Sequence, residues 1–325
     1  MFTHLQLASR AFSTGFNIKN VTIIGSGLMG SGIAQVSAQA NMKVILVDQT
    51  QQILDKSLKG IESSIKRVAK KQYESDENEQ KNLINKVIEN ISVSTNVSEA
   101  VSNADLVIEA IVENVEVKQN LLDRVEGAVK SGTILATNTS SLKLADIAAN
   151  LKNKELFGGL HFFNPVPVMK LLEVVKFDQT SEDTFNRLLQ FGKDIGKVTV
   201  VCKDTPGFIV NRLLVPYMLE AIRMFERGDA SKEDIDLAMK LGAGYPMGPF
   251  QLADYVGLDT TQFIVKAFLG SFLPFGIKKE NFLYSGWHQK YPNEPLFQPI
   301  MTLDKLVAEG KFGVKTGEGF YKYKK

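Results

Sequence analysis

Short apolar runs alternate with amphipathic stretches along the chain up to residue 202. The first run, residues 21–24, leads into a helical pattern and then into a second run at residues 44–47. Helical periodicity separates several later runs, as at residues 114–130 and 182–193. This alternation predicts an α/β fold built on a doubly wound, mostly parallel sheet. The later runs are residues 91–95, 106–111, 133–137, 159–163, 171–175 and 198–202.

The pattern changes at residues 203–208, KDTPGF. Beyond this segment apolar residues recur at helical spacing, and Ser231 and Asp234 have the spacing of a helix capping box. We therefore predict a Rossmann-like domain at residues 17–204 and an all-helical domain at residues 205–325. Within the first domain, residues 52–90 read as an arm of two long polar helices with a break near residues 75–78.

Composition excludes several classes of protein. The 325 residues are 44% hydrophobic and 23% charged, which is typical of a globular protein with a sizeable core. The net charge of +2 is dispersed, so we expect no nucleic-acid partner. Cys202 is the only cysteine, which excludes an intrachain disulfide and is interpreted as a buried apolar residue. No apolar run is long enough to span a membrane, and no metal site is predicted.

Residues 1–16 have the composition of a targeting segment. They are apolar, contain serines and Arg10, and no acidic residue occurs before Asp48. These features predict a mitochondrial presequence that is removed after import. The alternative is a disordered start of a cytosolic protein.

Glycines at positions 25, 27 and 30 follow the first apolar run and open the first helical pattern. In this spacing Gly25 makes a tight turn, Gly27 lets a pyrophosphate approach the backbone, and Gly30 packs the helix against the strand. The helix N-terminus then offers free N–H groups to the phosphates. Asp48, at the end of the second run, can accept hydrogen bonds from the ribose hydroxyls and repel a 2′-phosphate, which favours NAD over NADP. The alternative for Asp48 is an ordinary turn residue.

His161 is the candidate general base, the group that would take the hydroxyl proton when NAD oxidises an alcohol. Of the three histidines, His4 lies in the predicted presequence and His288 lies within an irregular apolar segment, residues 266–290. His161 is near the end of one predicted strand and Glu173 is on the next, so the two side chains can meet. A carboxylate fixes the imidazole tautomer and stabilises the imidazolium that forms when the ring takes a proton. A histidine buried in the core, or a lysine or tyrosine base, remains an alternative.

Six segments together resemble one family, the short-chain-type L-3-hydroxyacyl-CoA dehydrogenases of mitochondrial fatty-acid β-oxidation. The resemblance extends over about residues 20–265 and 292–325, with an insertion at about 267–285 that departs from the family. The six segments are GSGLMG at 25–30, NTSS at 138–141, HFFNP at 161–165, DTPGF at 204–208, NR at 211–212 and KTG at 315–317.

The resemblance implies a reaction in which NAD oxidises (S)-3-hydroxyacyl-CoA to 3-oxoacyl-CoA. It makes His161 the base, Glu173 the group that orients it, and Ser140 and Asn211 the partners of the substrate oxygen. On sequence alone Ser140 could instead cap a helix, and Asn211 could be a helix-start residue. The resemblance also implies a homodimer formed through the helical domain and a location in the mitochondrial matrix.

The resemblance adds further contacts to those expected from the glycine turn and Asp48. It assigns coenzyme A to Ser64, Lys71 and Ser140, which makes the basic arm a binding surface for CoA phosphates. Two alternatives to this function remain open. One is a related NAD dehydrogenase that acts on 3-hydroxybutyryl-CoA or a sugar acid, and the other is a non-enzymatic dinucleotide-binding protein. The residues assigned to NAD are Gly25, Gly27, Leu28, Met29, Gly30, Asp48, Glu113, Lys118, Ser140, Asn164 and Lys315.

Overall fold

Eight strands form a single sheet in the computed structural model, which describes residues 18–262 and 300–324. The predicted presequence, His4, His288 and the insertion at about 267–285 lie outside these residues. The strands are β1 (Asn20–Ile24), β2 (Lys43–Val47), β3 (Ile91–Ser94), β4 (Leu106–Glu109), β5 (Ile134–Thr137), β6 (Phe157–Phe162), β7 (Leu171–Lys176) and β8 (Val198–Lys203).

The strand order is β3-β2-β1-β4-β5-β6-β7-β8, and every neighbouring pair is parallel except β6 and β7. The predicted doubly wound, mostly parallel sheet is therefore confirmed. The order reverses between β1 and β4, and ligands of such sheets bind outside the carboxyl ends of the strands at this switch point.

The central strands read as continuous apolar runs because helices cover both faces of the sheet. All four residues of β4 and of β5 are buried. The side chains of the central strands alternate between two hydrophobic cores, one on each face of the sheet. Ile23, Leu46 and Ile108 belong to the core on one face, whereas Val107 and Phe157 belong to the core on the other.

The predicted polar arm is a pair of helices that breaks where expected. The carboxylate of Asp76 caps the second helix by accepting hydrogen bonds from the backbone of Asn78 and Glu79. Leu54 and Val87 fix the pair to the core, while most of its other side chains stay at least partly exposed. The helices of the Rossmann-like domain are α1 (Leu28–Gln39), α2 (Gln51–Gln72), α3 (Glu77–Glu89), α4 (Val97–Val101), α5 (Val115–Glu126), α6 (Leu144–Ile147) and α7 (Glu182–Asp194).

Beyond β8 the described chain is helical, as predicted, with only isolated bridges between residues 313 and 322. Ser231 accepts a hydrogen bond from the backbone of Asp234, which confirms the predicted cap, and its hydroxyl donates to the Asp234 carboxylate. Among residues 18–262 and 300–324, no helix has both the length and the apolar character needed to cross a membrane. The helices are α8 (Val210–Glu226), α9 (Lys232–Gly242), α10 (Pro249–Val256) and α11 (Met301–Ala308).

Two buried carboxylates hold the C-terminal segment against this domain. Asp254, in α10, accepts hydrogen bonds from the backbone N–H of Tyr321 (2.8 Å) and the hydroxyl of Tyr323 (2.9 Å). Asp236, in α9, accepts from the Tyr321 hydroxyl at 2.8 Å. Burial raises the pKa of Asp254 despite these donors. The segment that carries Lys315 is therefore fixed to α9 and α10.

Candidate active site

The glycine turn between β1 and α1 is an open backbone cradle. Gly25 has φ +102°, and a Cβ there would lie 2.5 Å from the carbonyl oxygen of Ala110. A Cβ at Gly30 would lie 1.7 Å from the carbonyl oxygen of Gly25, so no side chain fits. A Cβ at Gly27, in contrast, meets nothing within 4 Å. Two glycines are therefore required by the fold, and the third leaves free space in front of the N-terminus of α1, as a pyrophosphate needs.

Asp48 follows β2 and faces the glycine turn. Its Oδ2 accepts hydrogen bonds from the backbone (2.7 Å) and the hydroxyl (2.8 Å) of Ser26, and its Oδ1 accepts from the backbone of Gln49. Burial favours the neutral acid, but these donors outweigh it and lower the pKa of Asp48 below its usual value. A negative charge therefore stands beside the turn at neutral pH.

His161 and Glu173 are direct partners across the antiparallel pair β6 and β7. His161 Nδ1 lies 2.7 Å from Glu173 Oε2. The other carboxylate oxygen accepts the backbone N–H groups of Ile209 (3.1 Å) and Val210 (2.9 Å), where α8 begins. Glu173 therefore joins the histidine in the sheet to the first helix of the second domain.

The surroundings of His161 select its tautomer. An ionised carboxylate only accepts hydrogen bonds, so we infer that Nδ1 carries the proton and Nε2 has the free lone pair. The ring centroid lies 4.5 Å from that of Phe163 and 5.4 Å from that of Phe208. Phe208 has φ +49°, a strained conformation for a residue with a side chain. The strained turn thus places an apolar ring against the imidazole.

Ser140 and Asn211 come together from different domains. The side-chain amide of Asn211, in the first turn of α8, donates to the backbone carbonyl of Ser140 at 3.3 Å. Ser140 does not cap α6, because the Asp204 carboxylate accepts from the backbone N–H groups of Leu144 and Ala145 there. That alternative for Ser140 is therefore wrong.

Lys118 is buried between two carboxylates. Its Nζ lies 2.8 Å from both oxygens of Glu109 and 3.3 Å from Glu113 Oε2. Glu113 Oε1 accepts from the Thr139 hydroxyl at 2.6 Å and from the Ser140 backbone at 2.9 Å. Burial works against these charges. The carboxylates of Glu109 and Glu113 nevertheless raise the pKa of Lys118, and the Lys118 charge together with the Thr139 and Ser140 donors lowers the pKa of Glu113.

Sequence reasoning missed Glu109 because it lies inside an apolar run. A carboxylate in the middle of a run that is otherwise apolar, LVIEAIV, is a signal that could have identified it. Sequence reasoning also missed Lys197, which directly precedes β8. Its buried ammonium donates to the backbone carbonyls of Val166 and Met169 and so fixes the turn that follows Asn164.

A cleft of about 730 Å³ runs from the glycine turn along α2. Gly27, Ser64, Arg67 and Asn164 line it. Lys71 is exposed in the last turn of α2, and it does not line this cleft.

The remaining predicted cofactor residues are more scattered. Leu28 and Met29 begin α1, and Leu28 is 82% exposed. Lys315 lies in a short 3-10 turn of the helical domain, where it pairs with Asp259. In the part of the chain that the structure describes, no cluster of three His, Cys, Asp or Glu side chains has the arrangement of a metal site.

Two family models together match most of the chain. The NAD binding domain of 3-hydroxyacyl-CoA dehydrogenase matches residues 20–205, and the C-terminal domain of 3-hydroxyacyl-CoA dehydrogenase matches residues 207–323. The chain belongs to the 3-hydroxyacyl-CoA dehydrogenase family. The open cradle at Gly27 agrees with the NAD binding that defines the first of these domains.

Relatives support the same assignment. A probable 3-hydroxyacyl-CoA dehydrogenase of Caenorhabditis elegans is 60% identical over 307 residues, which covers 94% of this chain and 93% of the relative. The mitochondrial hydroxyacyl-coenzyme A dehydrogenase of Homo sapiens is 56% identical, with 94% and 92% covered. The crystal structure of (S)-3-hydroxybutyryl-CoA dehydrogenase from Ralstonia eutropha superposes with a TM-score of 0.82 at 35% identity, covering 95% of this chain and 100% of that one.

Cys202, in β8, is 4% exposed, and burial together with the charge of Glu173 raises the pKa of its thiol to about 12. We therefore expect the folded protein to resist alkylation by iodoacetamide at pH 8, because the thiolate is the reactive form. Mass spectrometry of the labelled chain measures this. A Ser131→Cys variant, which places a thiol at an exposed position, should be labelled quickly at the new site only. Equally fast labelling of Cys202 in the folded protein would contradict the expectation.

Proposed function

We propose that this chain is an NAD-dependent (S)-3-hydroxyacyl-CoA dehydrogenase that forms 3-oxoacyl-CoA in fatty-acid β-oxidation. The observation that carries the proposal is the hydrogen bond between His161 and Glu173, which joins β6 to β7. In the same sheet, the glycine turn after β1 leaves the space that a dinucleotide needs. Oxidation of a secondary alcohol needs a base for the hydroxyl proton, and the free Nε2 of His161 can supply it.

In the proposed mechanism His161 Nε2 takes the proton of the substrate hydroxyl. Bound NAD would supply the acceptor for the hydride that leaves the carbon bearing this hydroxyl. Glu173 stabilises the resulting imidazolium through Nδ1, and the two N–H groups at the start of α8 keep its carboxylate in place. Ser140 and Asn211 hold the substrate oxygen, a role supported by their meeting between the two domains.

The proposed cofactor site combines the glycine cradle with charged groups at the carboxyl ends of the strands. Asp48 binds the ribose hydroxyls and its charge disfavours a 2′-phosphate. Glu113 and Lys118 fix the loop that carries Ser140. The full proposed set is Gly25, Gly27, Leu28, Met29, Gly30, Asp48, Glu113, Lys118, Ser140, Asn164 and Lys315.

The proposed CoA site lies along α2. Ser64 lines the cleft, Lys71 stands at the exposed end of the helix, and Ser140 completes the set. Ammonium and guanidinium groups along this helix suit the phosphates of CoA better than they suit a sugar acid. The similarity to a 3-hydroxybutyryl-CoA dehydrogenase supports short 3-hydroxyacyl chains as a second candidate substrate.

Activity tests the proposal directly. We expect the purified protein to oxidise NADH with 3-oxoacyl-CoA substrates, including the four-carbon member, and to be inactive on 3-oxo sugar acids. His161→Gln should lower kcat about a thousand-fold, the size of a lost general base, while the Kd for NADH stays within about two-fold. Absorbance at the NADH band and fluorescence titration measure the two quantities.

A matched pair of variants separates the base from general damage. Glu173→Gln, which removes the charge beside His161, should also lower kcat strongly. Glu182→Gln makes the same chemical change on a side chain that is 76% exposed and should leave kcat unchanged. Comparable values of kcat for the wild type and the His161→Gln variant would show that His161 is not the general base.

We also propose that the protein is a homodimer formed through its helical domain. Leu213, Leu237 and Leu241 are 69%, 51% and 78% exposed on α8 and α9, and a second copy that covered them would remove apolar surface from water. Sedimentation should give twice the mass of the single chain, and Leu241→Glu should shift it to the monomer. Val198→Glu, on the exposed edge strand β8, should remain dimeric. A wild-type monomer at micromolar concentration contradicts the proposal.

The mitochondrial names of several relatives support a mitochondrial location, and we propose the matrix as the compartment. Residues 1–16 then serve as the import signal. Deleting them should abolish protease-protected import into isolated mitochondria without changing the activity of the purified protein. The full-length chain should stay protected after the outer membrane is ruptured. Import of the shortened chain at the normal rate would refute this role.

A further inference from the structure

Three charged side chains form a cluster at the carboxyl end of β4. Glu109, Lys118 and Glu113 make up this cluster, in which both oxygens of Glu109 lie 2.8 Å from Lys118 Nζ. Glu113 Oε2 lies 3.3 Å from the same nitrogen. Two carboxylates and one ammonium leave the cluster with a net charge of −1.

Among the described residues, each group that contacts the Glu109 carboxylate donates a hydrogen bond to it. Besides Lys118, it accepts hydrogen bonds from the hydroxyl of Thr137 and from the backbone N–H of Ile111. Its side chain is fully buried. Lys118 offsets only one of the two carboxylates, so one negative charge stays uncompensated in a place where charge is costly.

The cluster lies between the glycine turn and β6, the strand that carries His161. Ala110, the residue after Glu109, packs against Gly25 of the glycine turn. On the other side, β5 pairs with both β4 and β6, so Glu109 is two strand spacings from the strand that carries His161, about 10 Å. A dinucleotide that starts at the glycine turn and reaches His161 must pass this cluster.

We propose that the charge of Glu109 favours binding of the oxidised cofactor, NAD⁺, over binding of NADH. It does so by lowering the Kd for NAD⁺ relative to the Kd for NADH. The nicotinamide ring is positively charged in NAD⁺ and uncharged in NADH. A net negative charge nearby therefore stabilises one form and leaves the other nearly unaffected. The inference rests on the proposed function, in which this cofactor binds along the same edge of the sheet.

The test is the ratio of two dissociation constants. Glu109→Gln makes the cluster neutral, and we expect it to raise Kd(NAD⁺)/Kd(NADH) by about ten-fold, as for one unit charge acting over about 10 Å at an effective dielectric constant of about 20. NADH fluorescence titration, with NAD⁺ measured by competition at fixed ionic strength, gives both constants without turnover. A ratio that stays within two-fold of wild type, even if both affinities fall, means that Glu109 is only a structural counter-ion and overturns the proposal.

Two controls separate charge from shape. Glu109→Asp keeps the charge and shortens the side chain, so the ratio should stay near the wild-type value even if both affinities fall. Glu126→Gln removes a carboxylate that accepts backbone N–H groups from Lys152 and Asn153 at the far end of α5, and the ratio should not change. A ten-fold shift in either control contradicts the electrostatic explanation.

A further variant covers the case in which Glu109→Gln fails to fold, since it leaves a buried ammonium with one partner. Glu109→Gln combined with Lys118→Met buries an uncharged pair and keeps the net charge at −1 through Glu113. Its ratio should match the wild type, and adding Glu113→Gln should raise the ratio about ten-fold. No change on that addition overturns the inference. Absence of NADH binding by the wild type would instead refute the proposed function itself.

Discussion

The hydrogen bond between His161 and Glu173 organises the rest of the candidate site. It exists because β7 turns back against β6, the one antiparallel pairing in a sheet that is otherwise parallel. Antiparallel partners face each other across the strands, so a residue of β6 and a residue of β7 twelve positions later become direct neighbours. The same carboxylate accepts two N–H groups from the start of α8. One side chain thus fixes the proposed base, His161, and the position of the adjoining helix.

Much of this architecture was readable from the sequence, because the signals were local. Apolar runs and helical periodicity located all eight strands to within a few residues, and the break between α2 and α3 falls where Asp76 caps the second helix. The spacing of Gly25, Gly27 and Gly30 indicated a turn whose steric requirements the structure bears out at the first and third positions. The contact between His161 and Glu173 followed from their placement on consecutive strands.

The parts that escaped prediction depend on long-range packing. The sequence analysis assigned no role to Glu109 or Lys197. Both are buried, and each contacts charged or backbone groups from elsewhere in the chain. Nothing in the spacing of residues reports that Phe208 adopts a left-handed conformation or that its ring lies against His161. The proposed roles of Ser64, Lys71 and Lys315 came from family resemblance, because a partly buried serine or an exposed lysine on a helix or turn carries no signal of its own.

The C-terminal segment has a consequence for how much of the chain is dispensable. Asp254, in α10, receives its donors from residues 320–323, more than sixty positions further along the chain. A premature stop at residue 318 would remove these three donors and, with them, the packing of Phe320 in the core of the helical domain. Such a truncated protein would be a substrate for proteolytic quality control, and its loss would resemble the absence of the whole gene product.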